Sequence, residues 1–126
     1  MKNFIIFLRN KITRYIYQIL IKPILFQIDP EKVHDKTIKL GLFLGKYYLT
    51  NKFLHFMFYY KNSSLKQKIL GIRFDNPIGL SAGFDKEAIL VDVLPEIGFG
   101  FEEIGAITAK KCPGNDKPRL WRLKKS

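Results

Sequence analysis

The chain has 126 residues and a formal net charge of +11, from 22 Lys plus Arg against 11 Asp plus Glu, with 47% hydrophobic and 14% aromatic residues. That length suits one small domain with one core, and the apolar fraction excludes disorder and collagen-like repetition. Cys112 is the single cysteine, so a disulfide scaffold within the chain is excluded and a reducing compartment is the default.

Charge is distributed unevenly. Residues 1–70 carry 13 basic and 3 acidic side chains, whereas residues 71–126 carry 9 and 8. The first part also holds all 6 Tyr and 7 of the 11 Phe. An address or docking surface is expected there, and interleaving of the basic residues with bulky apolar ones favours an anionic membrane surface over nucleic acid. Lys or Arg recurs too often, at Arg9, Lys11, Arg14, Lys22, Lys32 and Lys36, for a membrane-spanning run. Phe4–Leu8 is too short for a signal-peptide core and no small-residue cleavage site follows, so neither spanning nor secretion is expected.

From Phe4 to Leu20 the residues Phe4, Ile5, Leu8, Ile12, Tyr15, Ile16 and Ile19 fall on one stripe at helical spacing. The spacing predicts an amphipathic helix ending near Pro23, either lying in the headgroup plane or packed on its own domain. Asp29-Pro30-Glu31 reads as an N-cap, a proline at the first helical position and a first-turn acid, which starts a second helix running to about Gly41 or beyond. The stretches 42–49 and 53–60 are more apolar than a surface helix needs, and they call for lipid, a lipid-like ligand or another domain. His34 and His55 lack ligand-spaced companions and read as structural or exposed, with no metal site.

Asn62-Ser63-Ser64 is a polar break and divides the chain into residues 1–62 and 63–126. Beyond it, Ile69–Phe74 reads as a short strand or hairpin arm, and Pro77–Ser81 as a buried strand entering the small-residue loop Ala82-Gly83. A helix over Glu87–Ile97 closed by Gly98, strained by Pro95, and a strand over Phe101–Thr108 complete one parallel crossover unit. A single such unit leaves a parallel sheet uncovered, so the chain reads as a fragment.

The residues richest in chemistry are Asn76-Pro77-Ile78-Gly79-Leu80-Ser81-Ala82-Gly83-Phe84-Asp85-Lys86. A strand ending in Ala-Gly lets a planar or phosphorylated ligand approach the backbone, and Lys86 can donate to an anion or carbonyl of that ligand. As spacing alone, this is also an ordinary turn with a solvated Asp-Lys pair.

This run, followed by Gly98-Phe99-Gly100-Phe101-Glu102-Glu103-Ile104-Gly105-Ala106-Ile107-Thr108 and by Pro113–Leu120, resembles the start of the barrel in class 2, quinone-dependent dihydroorotate dehydrogenases. Leu25–Glu31 with His34 is similar to that family's N-terminal extension, so the resemblance runs from about Leu25 to the last residue. It implies an α/β fold: an N-terminal helical membrane-docking domain, then the first strands of an incomplete (β/α)8 TIM barrel whose strand ends bind FMN. It implies oxidation of dihydroorotate to orotate, with a membrane quinone as final acceptor, at the cytoplasmic side of the cell inner membrane as a peripheral protein.

Carried over by position, Ala82, Gly83, Phe84, Asp85, Lys86 and Ala106 fall on FMN-contacting positions, and Lys86 also on the position that reaches the substrate. Ala106 stands where the family commonly has threonine, which leaves a backbone contact there. Thr108-Ala109 replaces the usual Thr-Pro. The family's Asn-Arg-x-Gly-Phe-Asn-Asn loop and serine base have no counterpart among the 126 residues, so no catalytic residue is assigned and the isolated chain is expected to be inactive. The alternative is a truncated or decaying gene product that retains only membrane-surface binding. Cys112 lacks a base partner and carries no thiol role.

Overall fold

The computed structural model describes residues 2–110 and 112–123. Lys111 and the basic tail lie outside the described residues. The described part is rich in helix with a few short strands, and its contacts divide it into two compact units, Met1–Lys36 with Gly114–Ser126, and Thr37–Pro113.

In the first unit, α1 (Lys2–Ile16) runs through a π-helical turn (Tyr17–Ile21) into α2 (Lys22–Gln27). The helix therefore does not stop near Pro23 as its proline suggested. In the π turn the Lys22 amide reaches back five residues to the Tyr17 carbonyl, and this wider ring moves backbone out of the way of the proline that follows. The stripe is bare: Phe4, Leu8, Ile12, Tyr15 and Ile19 are all exposed. No helix among the described residues is long and apolar enough to cross a membrane.

Asp29 starts α3 (Pro30–Gly45) as its residue type predicts. Its side chain accepts the Lys32 amide at 3.1 Å and its carbonyl the Val33 amide at 3.0 Å. The 114–123 segment is fastened to this end of the first unit. Lys117 pairs with Glu31 at 3.0 Å, and Arg122 donates to the Ile28 carbonyl and to the Leu25 carbonyl, which also accepts the Ile28 amide at the C-terminus of α2.

The second unit holds the later turns of α3, then α4 (Tyr48–Phe58), a 3-10 turn (Ser63–Leu65) and the hairpin β1 (Gln67–Ile69) and β2 (Ile72–Phe74). Thr50 and Asn51 at the start of α4 donate to the Leu44 and Gly45 carbonyls, which closes the end of α3 with side chains. The hairpin turns over Leu70-Gly71, both at positive φ, as two-residue hairpin turns require.

β3 (Gly79–Leu80) pairs in parallel with β4 (Phe101–Glu102), in register Gly79 with Phe101 and Leu80 with Glu102. Hydrogen bonds from the Gly100 amide to the Ile78 carbonyl and from the Glu103 amide to the Leu80 carbonyl extend the ladder on both sides. The expected parallel pair is thus present, although the strand expected over 101–108 is reduced to two residues.

The expected crossover helix over 87–97 is absent and is replaced by consecutive turns. Leu90, Val93 and Leu94 carbonyls each accept two amides, at spacings that vary from three to five residues, while Pro95 has no amide to give. Ala88 at φ +56 breaks helical backbone at the start of the segment. These turns nevertheless bury the core, where Leu90, Val93 and Leu94 meet Leu54 of α4, with Ile38, Leu44, Leu80 and Phe84 packed around them.

Candidate functional site

The candidate site grows from the C-terminal ends of β3 and β4. Because the strands are adjacent and parallel, the loop 81–86 after β3 and the segment 103–106 after β4 leave the sheet at the same edge. Asn76 prepares the first strand. It is buried, its side-chain oxygen accepts the Ile78 amide at 2.9 Å, and its amide group donates to the Gly98 carbonyl at 3.2 Å. This ties the entry of β3 to the segment that leads into β4.

Gly79 is required by close approach. A Cβ there would lie 2.2 Å from the Phe101 ring, which crosses the strand and meets Phe74 edge-on at 5.3 Å. Gly83 is required by conformation: its φ is +97, and the space where a Cβ would stand is open. Ala82, Gly83 and Lys86 are exposed along this loop, and Ala106 is exposed on the other.

Phe84 and Asp85 point elsewhere. Phe84 packs on the core cluster, so its side chain anchors the loop from beneath. Asp85 is only 2% exposed and accepts the Leu90 amide, which makes it the hinge between the loop and the turns that follow. Across from it, Glu102 of β4 has a carboxyl raised above its ordinary range, first by burial and then by the charge of Asp85 and a hydrogen bond with it.

Of the sequence-derived positions, the structure brings Ala82, Gly83 and Lys86 onto one exposed loop and sets Ala106 on the loop of the neighbouring strand. Sequence reasoning missed the influence of Asp85 on the Glu102 carboxyl.

The residues fit a flavin in the manner of their donor set. An open left-handed glycine allows a ring or phosphate to lie against backbone, and an exposed ammonium stands three residues on. His34 pairs with Asp35 at 3.3 Å and His55 with Glu96 at 2.8 Å. Among the described residues no three His, Cys, Asp or Glu side chains form a metal cluster. Cys112 is free and exposed.

The family model for dihydroorotate dehydrogenase matches residues 64–126, which includes the whole of β3, β4 and both loops. Among curated proteins, one from Christiangramia forsetii is 44% identical over 108 residues, covering 86% of this chain and 32% of its own length. Another from Idiomarina loihiensis is 48% identical over 105 residues, covering 82% of this chain and 30% of its own. A third, from Helicobacter acinonychis, is 43% identical over 103 residues, covering 82% and 29%. Each of the three is named dihydroorotate dehydrogenase (quinone). The chain spans about a third of the length of these relatives. With a family model that matches half of its residues and relatives 44% and 48% identical over most of its length, the chain belongs to the dihydroorotate dehydrogenase family.

Proposed function

We propose that this chain supplies the quinone-docking extension (residues 1–62) and the first flavin-contacting strands (63–126) of an FMN-dependent dihydroorotate dehydrogenase. The observation that carries this reading is the loop after β3, where Gly83 at φ +97 leaves backbone open and Lys86 is exposed beside the end of a parallel neighbour. FMN, when bound, supplies the acceptor for the substrate hydride. Ala82 and Gly83 bring backbone up to the flavin, and Phe84 and Asp85 hold the loop from below. Lys86 binds and orients the carboxylated pyrimidine and favours negative charge beside it. Ala106 contributes backbone only.

The bare apolar stripe of α1, flanked by Arg9, Lys11 and Arg14, supports docking to an anionic membrane surface, with a membrane quinone as the electron acceptor. On this reading the protein is peripheral, at the cytoplasmic face of the inner membrane. The 126 residues contain no serine base in the family's motif, and a polypeptide of these residues alone is inactive. The same stripe also favours a second reading, a relic that only binds membranes.

Reading the coding DNA beyond codon 126 separates the two. An in-frame Asn-Arg-x-Gly-Phe-Asn-Asn segment with further barrel units supports the enzyme, and there Lys86→Ala lowers dihydroorotate turnover by roughly 100-fold or more. A stop followed by decayed sequence leaves membrane binding alone. Dihydroorotate oxidation by the 126-residue chain itself would refute the claim of inactivity.

A further inference from the structure

α4 is apolar on two sides, where a surface helix is ordinarily apolar on one. On the inner side Thr50 and Asn51 bind the end of α3 and Leu54 joins the core. On the far side Leu49, Lys52, Phe53 and Phe56 recur three or four apart, and all are exposed, Leu49 at 79% and Phe53 at 62%. Tyr48 is exposed at the start of the same helix. Lysines stand over the aromatic rings at this edge: Lys52 Nζ is 4.7 Å from the centre of the Tyr48 ring and Lys46 Nζ 6.0 Å from that of Tyr47, which Phe43 meets edge-on at 5.3 Å. From Thr37 to Phe74 the second unit carries seven Lys or Arg and no Asp or Glu. Glu96 reaches α4 from a later segment but is held by His55 at 2.8 Å, and among the described residues no carboxylate pairs with Lys46 or Lys52.

We propose that α4 is a second lipid contact, in which Leu49, Phe53 and Phe56 enter the headgroup boundary of an anionic bilayer and Lys46 and Lys52 meet its phosphates. The position of Lys52 selects this occupant. An apolar protein surface closing over the far side of α4 would take the ammonium out of water with no carboxylate to meet it. At a bilayer the same side chain lays its stem along the apolar face and lifts its charge to the headgroups. Aromatic rings beside lysines suit that boundary, and the run of positive charge without an acid complements anionic lipid. The proposal deepens the membrane docking read from α1 and rests on that reading for the class of partner, but on different residues in a different unit of the chain.

The test uses the full chain with Trp121→Phe, which removes the native indole, and one new indole from Phe53→Trp or, separately, from Ile12→Trp. Each is mixed with vesicles of phosphatidylcholine and phosphatidylglycerol, with and without bromine on the acyl chains. The Phe53→Trp emission is expected to shift to the blue on binding and to be quenched about twofold or more by the brominated chains. Phe53→Asp is expected to weaken vesicle binding roughly tenfold or more, and Lys46→Gln with Lys52→Gln to weaken it about as much at low salt. Quenching at Ile12→Trp but not at Phe53→Trp overturns the proposal and leaves docking through α1 standing. The reverse pattern supports α4 and refutes α1, and quenching at neither position refutes both. A Phe53→Trp emission already blue-shifted without vesicles also overturns the proposal: in a dimer it assigns the face to a second copy, and in a monomer to another segment of the chain. Phe53→Trp exchanges one exposed aromatic ring for another, so the quenching decides even if the aspartate variant fails to fold.

Discussion

The Arg122 guanidinium lies 4.3 Å from the centre of the Phe26 ring while its Nη1 donates to the Leu25 carbonyl at 3.1 Å and the Ile28 carbonyl at 3.2 Å. One side chain thus caps the open end of α2 and stacks on its last turn, joining residues 97 apart in the chain. The Leu25 carbonyl also accepts the Ile28 amide at 3.3 Å, and the Lys22 ammonium stands 5.1 Å from the centre of the same Phe26 ring.

Arg122→Ala should destabilise that unit by about 1–3 kcal/mol, from two charged-donor hydrogen bonds and one ring contact. Arg122→Lys should recover only part of this, because an ammonium cannot reproduce the planar fork over the ring. Limited proteolysis at Lys117 and Arg119 reports the release; an unchanged cleavage rate in the alanine variant would show that the clasp holds nothing.

Removing the Asp85 carboxylate should leave the Leu90 amide without its acceptor in the core. Asp85→Ala is expected to cost about 1–3 kcal/mol in urea denaturation. Asp85→Asn keeps an acceptor oxygen and gains a donor toward Glu102, so it should cost markedly less. Equal losses in the two variants would mean that the charge, and not the hydrogen bond, holds the turn.

The pH dependence of stability follows from Glu102. Its carboxyl titrates near 4.5 when unfolded and at a higher pH when folded, so over that window the folded chain binds more protons. The contribution is fully present below 4.5 and declines as pH rises through the folded value. Urea midpoints measured from about pH 4 to about pH 8 should fall across this window in the wild type and stay flatter in Glu102→Gln. Parallel curves would assign the dependence to other groups.

Adding a methyl at Gly79 should force the Phe101 ring aside. Gly79→Ala is expected to destabilise the β3–β4 pair by about 1–3 kcal/mol. Combined with Phe101→Leu, which vacates the ring's place, the same change should cost less than the sum of the two single changes. Additivity in that double-mutant cycle would show that the clash is not what demands glycine.

The chain should sediment with anionic vesicles and be released as salt rises, since basic side chains flank the exposed stripe of α1. Ile12→Asp places a charge within that stripe and should weaken vesicle binding roughly tenfold or more. Failure of the wild-type chain to bind vesicles would remove membrane docking from both functional readings.

Features governed by near neighbours are legible in the amino-acid sequence alone. Asp29-Pro30-Glu31 announces a helix start because a short acceptor side chain, a preset φ and a first-turn acid act within one turn. The parallel pair of Gly79-Leu80 with Phe101-Glu102, and the loop motif ending in Lys86, show in the sequence as apolar runs closed by small residues. The helix expected over 87–97 does not form, because apolar spacing cannot outweigh the backbone breaks at Ala88 and Pro95. The end expected at Pro23 fails for a related reason, since a π turn absorbs the proline without ending the helix.

Local order and family membership can be read from the order of residues because caps, periodicity and loop motifs act over a few positions. Tertiary folding decides that Asp85 turns inward to Leu90 and Glu102 while Lys86, its neighbour, stays in solvent. It also decides that Arg122 closes α2. Both depend on groups distant in the chain, and only the packed structure determines which polar atoms lose water and must find a partner.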